Sequence, residues 1–386
     1  MNRPNFLRLI LGLCCLTGGP QVAAVDKNLA QLVDVELLTP MAQTMPGAAA
    51  VVAIDGKVAL LRTWGVRQAG ASDKVDGQTL FRLASVSKTF AGAAGAKVVS
   101  ETDLEWHTTI SGQVDGLRFK VPARGNDINL RHVLSQGTGL IPHAYTNLVE
   151  DNMSFDRILR KMHKVDFICE PGQCYSYQNV AFSLVGEVIE QATGMDYSSY
   201  LTKRIFEPLA MKRASIGFRP YVDDTNHARP HRWNGEDWAV TRITSEFYRV
   251  PPAAGVNASI DDMAIWLLAQ LGQKPEVLGA PLLDEMHRGI QRSSRKQAHY
   301  PRNPRLGPVY YGLGWRVFEY GGQPGFVHHG GYVRGMRSEM VLNRELGAGL
   351  VFLTNSEPRN LGDLVFAFVD LLLQERGAVT SASAAD

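Results

Sequence analysis

β-rich runs stand at both ends of the chain, with a long helix-rich block between them. That order restricts the available folds more than any other feature. Near the start, "GAAAVVAIDGKVALLRTWGVRQAG" (47–70) reads as two strands around Asp55-Gly56, a dipeptide suited to a tight hairpin. Near the end, "VYYGLGWRVFEY" (309–320), "FVHHGG" (326–331), "MRSEMVLNR" (336–344) and "AGLVFLTN" (348–355) return to strand character. Between about 115 and 290 the apolar spacing is helical, as in "SFDRILRKMHKV" (154–165), "NVAFSLVGEVIEQATG" (179–194) and "IDDMAIWLLAQLG" (260–272). "TLFRLASVSKTFAGAAGAKVV" (79–99) reads as a helix whose many Ala and Gly let other elements pack close, and residues 27–45 read as an amphipathic helix. The pattern predicts an α/β (α+β) domain over 25–375. Its antiparallel sheet is built from both chain ends (25–115 and 291–375) and flanked by helices, and 116–290 forms a mainly helical subdomain. A cleft between the two parts is the expected place for a site. Residues 360–374 read as a closing apolar helix and 376–386 as a disordered tail.

The chain has 386 residues, 45% of them hydrophobic, which is enough for a substantial core. Residues 1–24 read as an export signal, with Arg3 and Arg8 ahead of the short apolar stretch "LILGLCCLTGG" and small residues "VAA" before Val25. Cys14 and Cys15 do not follow the small residue that lipidation needs. Removing this segment takes the net charge from +2 to zero. A neutral protein gives no support for nucleic-acid binding or electrostatic membrane docking, and no other stretch is apolar enough to span a bilayer. Cys169 and Cys174 flank a Pro-Gly turn in "FICEPGQCYSY". In an exported chain this pair reads as a disulfide, with a metal or reactive-thiol site as the competing reading. The expected location is periplasmic or secreted.

Three groups carry candidate chemistry. In "FRLASVSKTF" (81–90), Ser85 and Lys88 are three positions apart, so a helical backbone puts them on one face while Ser87 points elsewhere. A serine needs a neighbouring base, and a lysine is a base only when neutral, which costs about 4–5 kcal/mol at pH 7. A desolvated pocket or a nearby cation has to supply that. The second Ser-x-x-Lys, Ser293–Lys296, lies in a basic polar run and reads as a solvated loop. In the second group, Tyr177-Gln178-Asn179, the phenol can relay a proton and the amide can hold a ligand amide. Tyr145–Asn147 repeats the spacing in a polar loop. The third is "HHGGYVRGMRSE" (328–339), where Gly330 and Gly331 permit close backbone approach and a strand edge beside a serine can complete an oxyanion hole. Adjacent His328 and His329 face opposite sides of a strand, so at most one enters a given pocket. Ten histidines raise the question of zinc, but no His-x-Glu-x-His or His-Glu-x-x-His pattern occurs. No metal and no cofactor are expected.

Taken together and in this order, the groups resemble the penicillin-recognising serine hydrolases, class C β-lactamases and their D-alanyl-D-alanine peptidase and esterase relatives in particular. "MPGAAAVVAIDGKV", "TLFRLASVSKTF", "PGQCYSYQNVAFSLVGEVIEQATG", "PAAGVNASIDDMAIWL", "YGLGW" and "ELGAGLVFLTN" carry the resemblance over most of residues 46–356. It implies Ser85 as the acylated nucleophile, Lys88 as its base and Tyr177 as the proton relay. Asn179 would contact a substrate amide, and the N–H groups of Ser85 and Tyr332 would form the oxyanion hole. His329-Gly330-Gly331 stands where these β-lactamases carry Lys-Thr-Gly or Lys-Ser-Gly, so the lysine and hydroxyl are both absent, and His329 and Gly331 are the implied substrate contacts there. Arg334, Arg337 and Arg359 are candidates for the missing charge. His143, in the divergent "LSQGTGLIPH", is a candidate substrate contact at the cleft rim. The implied function is an acyl-enzyme hydrolase of small molecules. A class C-like β-lactamase comes first, with antibiotic resistance as its consequence. A D-alanyl-D-alanine peptidase or carboxylesterase comes second, and a penicillin-binding sensor without turnover third. The sequence leaves the oligomeric state open.

Overall fold

Asp55 and Gly56 take φ of 49° and 70°, the left-handed pair that a two-residue hairpin demands. They join strand β1 (Gly47–Ile54) to strand β2 (Lys57–Gly65). The computed structural model describes residues 28–294, 299–358 and 361–383. The expected export signal, Val25, Lys296 and Arg359 lie outside the described residues. β1 is buried along its whole length, because its unbroken apolar run is covered on both faces. β2 carries Lys57 and Arg62 and forms the exposed edge.

The later strands are β3 (Gln291–Arg292), β4 (Leu306–Tyr311), β5 (Arg316–Tyr320), β6 (Gln323–Val333), β7 (Met336–Asn343) and β8 (Ala348–Thr354). With the first two they form an eight-stranded sheet in the order β2-β1-β8-β7-β6-β5-β4-β3. The two chain ends meet where β1 runs antiparallel to β8, with Ala48 opposite Thr354. The antiparallel sheet built from both ends, expected from the sequence, is therefore present. One face is covered by the helical turns Val33–Leu38 and Thr39–Ala42 and by the last helix, packing Val33, Phe326, Phe352, Leu364 and Val369 together. Behind the other face a continuous core runs from Val51, Val327 and Leu353 into the helical block at Leu134, Val185 and Trp266.

Helix α1 (Ser87–Glu101) is the central rod of that second core. The sequence placed its start near residue 79, but Phe81–Arg82 is extended and pairs with Val256–Ala258. A single tight turn over Ala84–Val86 then leads into the helix. The extended start has a long-range cause, since Leu83 N–H donates to Val256 O at 3.0 Å. The small residues of α1 serve close approach: a Cβ on Gly92 would meet Leu313 O at 2.1 Å, and one on Gly314 would meet Lys88 O at 2.1 Å. The helix is thereby pressed against the turn that precedes β5. The final helix, Leu361–Ser383, continues past residue 375, where the sequence reading ended the ordered domain. "GAVTSAS" contains no proline, and a helix already propagating from its apolar part carries through Gly377.

Candidate active site

Ser85 sits in the tight turn at the mouth of α1, directly after Ala84, whose φ of 47° is a costly conformation for a residue with a Cβ. The turn lifts Ser85 toward the cleft while Lys88, one turn on, is fully buried. Lys88 Nζ lies 3.3 Å from Ser85 Oγ, 2.8 Å from Asn179 Oδ1 and 3.0 Å from Ala253 O. Burial pushes the Lys88 ammonium well below its ordinary value, and the Arg316 cation adds to the effect. A neutral amine has two N–H donors and one lone pair. The carbonyl oxygens of Asn179 and Ala253 take the donors, leaving the lone pair for the Ser85 hydroxyl. The environment that the sequence required for a neutral lysine is present.

Tyr177 donates its hydroxyl to Ser85 Oγ at 3.1 Å, and Lys88 Nζ stands 4.7 Å from the centre of the Tyr177 ring. Burial raises the phenol's pKa, with Arg316 and Ser85 acting against the rise, so Tyr177 holds its proton. The segment around it is clamped from several sides. Ser176 N–H donates to Gln136 O at 2.8 Å, Gln178 N–H to Gln136 Oε1 at 2.7 Å, and His143 N–H to Tyr177 O at 2.9 Å. Cys169 and Cys174 are disulfide-bonded just before it. Asn179 opens the following helical turn and keeps only 8% of its surface exposed. The alternative Tyr145 points its hydroxyl at Lys161 O, away from this cluster.

β6 passes the Ser85 turn so closely that a Cβ on Gly331 would meet Leu83 O at 2.2 Å. The neighbouring Ser338 hydroxyl also donates to Leu83 O, at 2.7 Å. Ser85, His143, Tyr177, Asn179, Gly330, Gly331 and Tyr332 thus line one cleft of about 620 Å3. The Tyr332 side chain is 56% exposed and its hydroxyl donates to Glu357.

Two expectations need correction. His329 was expected to contact substrate, but it is fully buried and does not line the cleft. Its Nδ1 bonds Gly330 O at 2.8 Å, which requires the proton on Nδ1, so Nε2 accepts from the Tyr311 hydroxyl at 2.9 Å. Burial, then the Arg316 cation, hold it far below the usual imidazole range and therefore neutral. His328 is also buried, bonded to Glu339 Oε2 at 2.8 Å and to the Tyr300 hydroxyl at 2.6 Å. The histidines of the cleft are instead His143 and His299. The second correction concerns the missing charge. Arg337 does reach the cleft, paired with Glu339 at 3.0 Å, and Arg334 does not line it. The buried cation is Arg316 on β5, which sequence reasoning missed although "YGLGW" immediately precedes it. Ala253 O and Glu339 were also missed. Gly330 has a structural reason, since a Cβ there would meet Glu339 Oε2 at 2.5 Å.

An antiparallel sheet joined to a helical block, with a serine, lysine and tyrosine converging at their junction, defines a serine penicillin-recognising type of protein. A family model described as Beta-lactamase matches residues 25–373, and the chain belongs to that family. It is 26% identical over 295 residues to a β-lactamase of Escherichia coli (strain K12), covering 76% of this chain and 72% of that one. It is 24% identical over 324 residues to protein flp of Staphylococcus aureus (strain MW2), covering 83% of this chain but only 62% of that relative's length. Among solved structures, the octameric penicillin-binding protein homologue from Pyrococcus abyssi shares the fold. The TM-score is 0.75 at 22% identity, over 89% of this chain and 77% of that one. Among the described residues no helix is long and apolar enough to cross a membrane, and no group of His, Cys, Asp and Glu is arranged to hold a metal.

Proposed function

We propose that this chain is an exported serine hydrolase that works through an acyl-enzyme on Ser85. The observation that carries the reading is the spent donor set of Lys88: with both N–H groups on Asn179 and Ala253, its lone pair faces the Ser85 hydroxyl. Ser85 Oγ attacks an amide or ester carbonyl and its proton passes to Lys88. Tyr177, still protonated, gives a proton to the leaving group and becomes a phenolate; water entering the cleft then gives its proton to that phenolate as it attacks the acyl group, and Lys88 returns its proton to the departing Ser85 Oγ. The Ser85 and Tyr332 N–H groups serve as the oxyanion hole, a role supported by the close passage of β6 past the Ser85 turn. Export is supported by the pattern of residues 1–24 and by the disulfide.

The first substrate reading is class C-like hydrolysis of the strained β-lactam amide. The second, D-alanyl-D-alanine ends or small esters, is favoured by the neutral His329 and by Gly330 in place of a hydroxyl residue. Nitrocefin, imipenem, a D-Ala-D-Ala peptide and p-nitrophenyl esters assayed in parallel separate the two, with intact-mass spectrometry following the adduct. Turnover of at least one substrate, lost in Ser85→Ala, is the expected result. Full turnover of every active substrate by Ser85→Ala rules the mechanism out. A stable adduct on Ser85 without product identifies a sensor instead of a hydrolase.

A further inference from the structure

Gln136 stands where a helix end favours glycine. The helical turn Leu130–Leu134 is capped by Ser135. Gly137 N–H then donates to His132 O at 2.8 Å, and Gln136 N–H to Val133 O at 3.3 Å. This pair of bonds is the Schellman ending, in which the residue just past the cap turns left-handed. Glycine takes that conformation freely, whereas a Cβ strains it. Gln136 nevertheless holds φ of 60° there and is only 1% exposed. A long polar side chain, buried and strained at a glycine position, breaks the local rule and calls for a compensating role.

The compensation lies beside Tyr177. Gln136 accepts the N–H groups on both sides of that residue, Ser176 N–H on its backbone oxygen at 2.8 Å and Gln178 N–H on Oε1 at 2.7 Å. A backbone N–H only donates, so the amide oxygen and not the nitrogen faces Gln178. The Ser176 hydroxyl and the Gln178 side-chain amide donate to Leu140 O and Ile141 O, further along the same stretch. Tyr177 O in turn accepts from His143 N–H at 2.9 Å. Of the acceptors in this clamp, Gln136 Oε1 alone belongs to a side chain. With the backbone pinned before and after it, the Tyr177 phenol has only its own side-chain torsions with which to leave Ser85 Oγ, 3.1 Å away.

We propose that Gln136 is the positioning residue of Tyr177, holding its phenol within reach of the Ser85 hydroxyl. Gln136 does not line the cleft that holds Ser85, so it acts through the tyrosine and not on the substrate. This role rests on the proton relay proposed for Tyr177 above and deepens it. The strain at Gln136 is what the chain accepts to place a side-chain oxygen against Gln178 N–H.

The test compares Gln136→Met, which keeps the length and loses the acceptor, with Gln136→Glu, which keeps an oxygen at the same point. Both are assayed with whichever substrate of the panel above is turned over. Gln136→Met is expected to lower kcat by about tenfold or more with KM nearly unchanged, as misplacing a catalytic group does. Gln136→Glu should recover most of that loss. In a Tyr177→Phe background the effect should vanish, leaving Gln136→Met/Tyr177→Phe as active as Tyr177→Phe alone. A merely structural role would lower both backgrounds by the same factor. Circular dichroism checks that each variant folds. Gln136→Gly, which suits the left-handed backbone and also lacks the acceptor, carries the comparison if the methionine variant does not fold. A second arm needs no turnover: crystal structures of the wild-type chain and the variants read the separation of Tyr177 Oη from Ser85 Oγ. A phenol moved away by about 1 Å or more in Gln136→Met, and returned in Gln136→Glu, supports the role even where no substrate is hydrolysed or Tyr177→Phe keeps the wild-type rate. Those two results would end the acyl-enzyme and relay readings instead. Wild-type kcat in the variant that lacks the acceptor, an equal loss in both backgrounds, or an unmoved phenol overturns it.

Discussion

The two walls of the cleft differ in what the groups nearest Ser85 are paired with. On the helix side, Lys88, Tyr177, Asn179 and Ser85 form a closed set, in which Lys88 has an oxygen for each donor and Tyr177 donates to the serine. On the strand side, His329 and Gly330 replace the lysine and hydroxyl residue of the resembled enzymes, and the buried Arg316 cation stands among the rings of Tyr177 and Tyr311. The helix-side set is held together by its own hydrogen bonds and needs no ligand to complete it. Under the proposed mechanism, the contrast teaches that the groups for proton transfer and the groups that differ from the resembled enzymes sit on separate structural elements. A family pattern preserved on one wall therefore says little about the substrate read by the other.

The sharpest way to break the comparison is to remove the closed set. Lys88→Ala takes away the base and leaves Asn179 Oδ1 and Ala253 O without their donor. Hydrolysis of any active substrate is expected to fall about a hundredfold or more in steady-state assays, and a fall of less than about threefold would mean that the set is not the proton-transfer machinery. Next in size is Gly331→Ala, which forces the walls apart where β6 passes the Ser85 turn. A Cβ at 2.2 Å from a backbone oxygen has to displace one of the two. Denaturant titration should show a loss of about 1–3 kcal/mol, together with reduced activity. Unchanged stability and activity would mean that the walls are not in register contact. The smallest expected effect links the walls through charge. Arg316 contributes to lowering the Lys88 pKa, so Arg316→Gln removes a positive neighbour and favours the protonated amine. The Lys88 pKa rises, and the acid limb of the kcat/KM profile, where activity is lost as Lys88 gains its proton, should move to higher pH. A limb that stays in place or moves to lower pH separates the two walls electrostatically.

Much of the helix wall was legible because local spacing encodes it. Ser85 and Lys88 are one turn apart, and Tyr177 and Asn179 stand at the start of a helical segment. The sheet from both ends was legible in the strand runs and in Asp55-Gly56. The start of α1 was not, since Phe81–Arg82 is held extended by pairing with Val256–Ala258, far along the chain. Ala253 contributes a backbone oxygen, which leaves no side-chain signature. Arg316 lies within an ordinary strand pattern, and only the register that sets it opposite His328 and Tyr311 brings it to the cleft. His329 was expected in the pocket because alternation along a strand gives the side but not what covers it, and Tyr311 covers it here.

The central claim is that Lys88 is a neutral amine in the folded protein. Lysine labelled at Cε, followed by NMR through a pH titration and assigned by comparison with Lys88→Arg, reads that state directly. The account predicts one lysine resonance that titrates well below the ordinary range near 10.4 and that vanishes in the variant. If the resonance lost in Lys88→Arg titrates together with the surface lysines, the amine is charged at neutral pH and cannot accept the Ser85 proton.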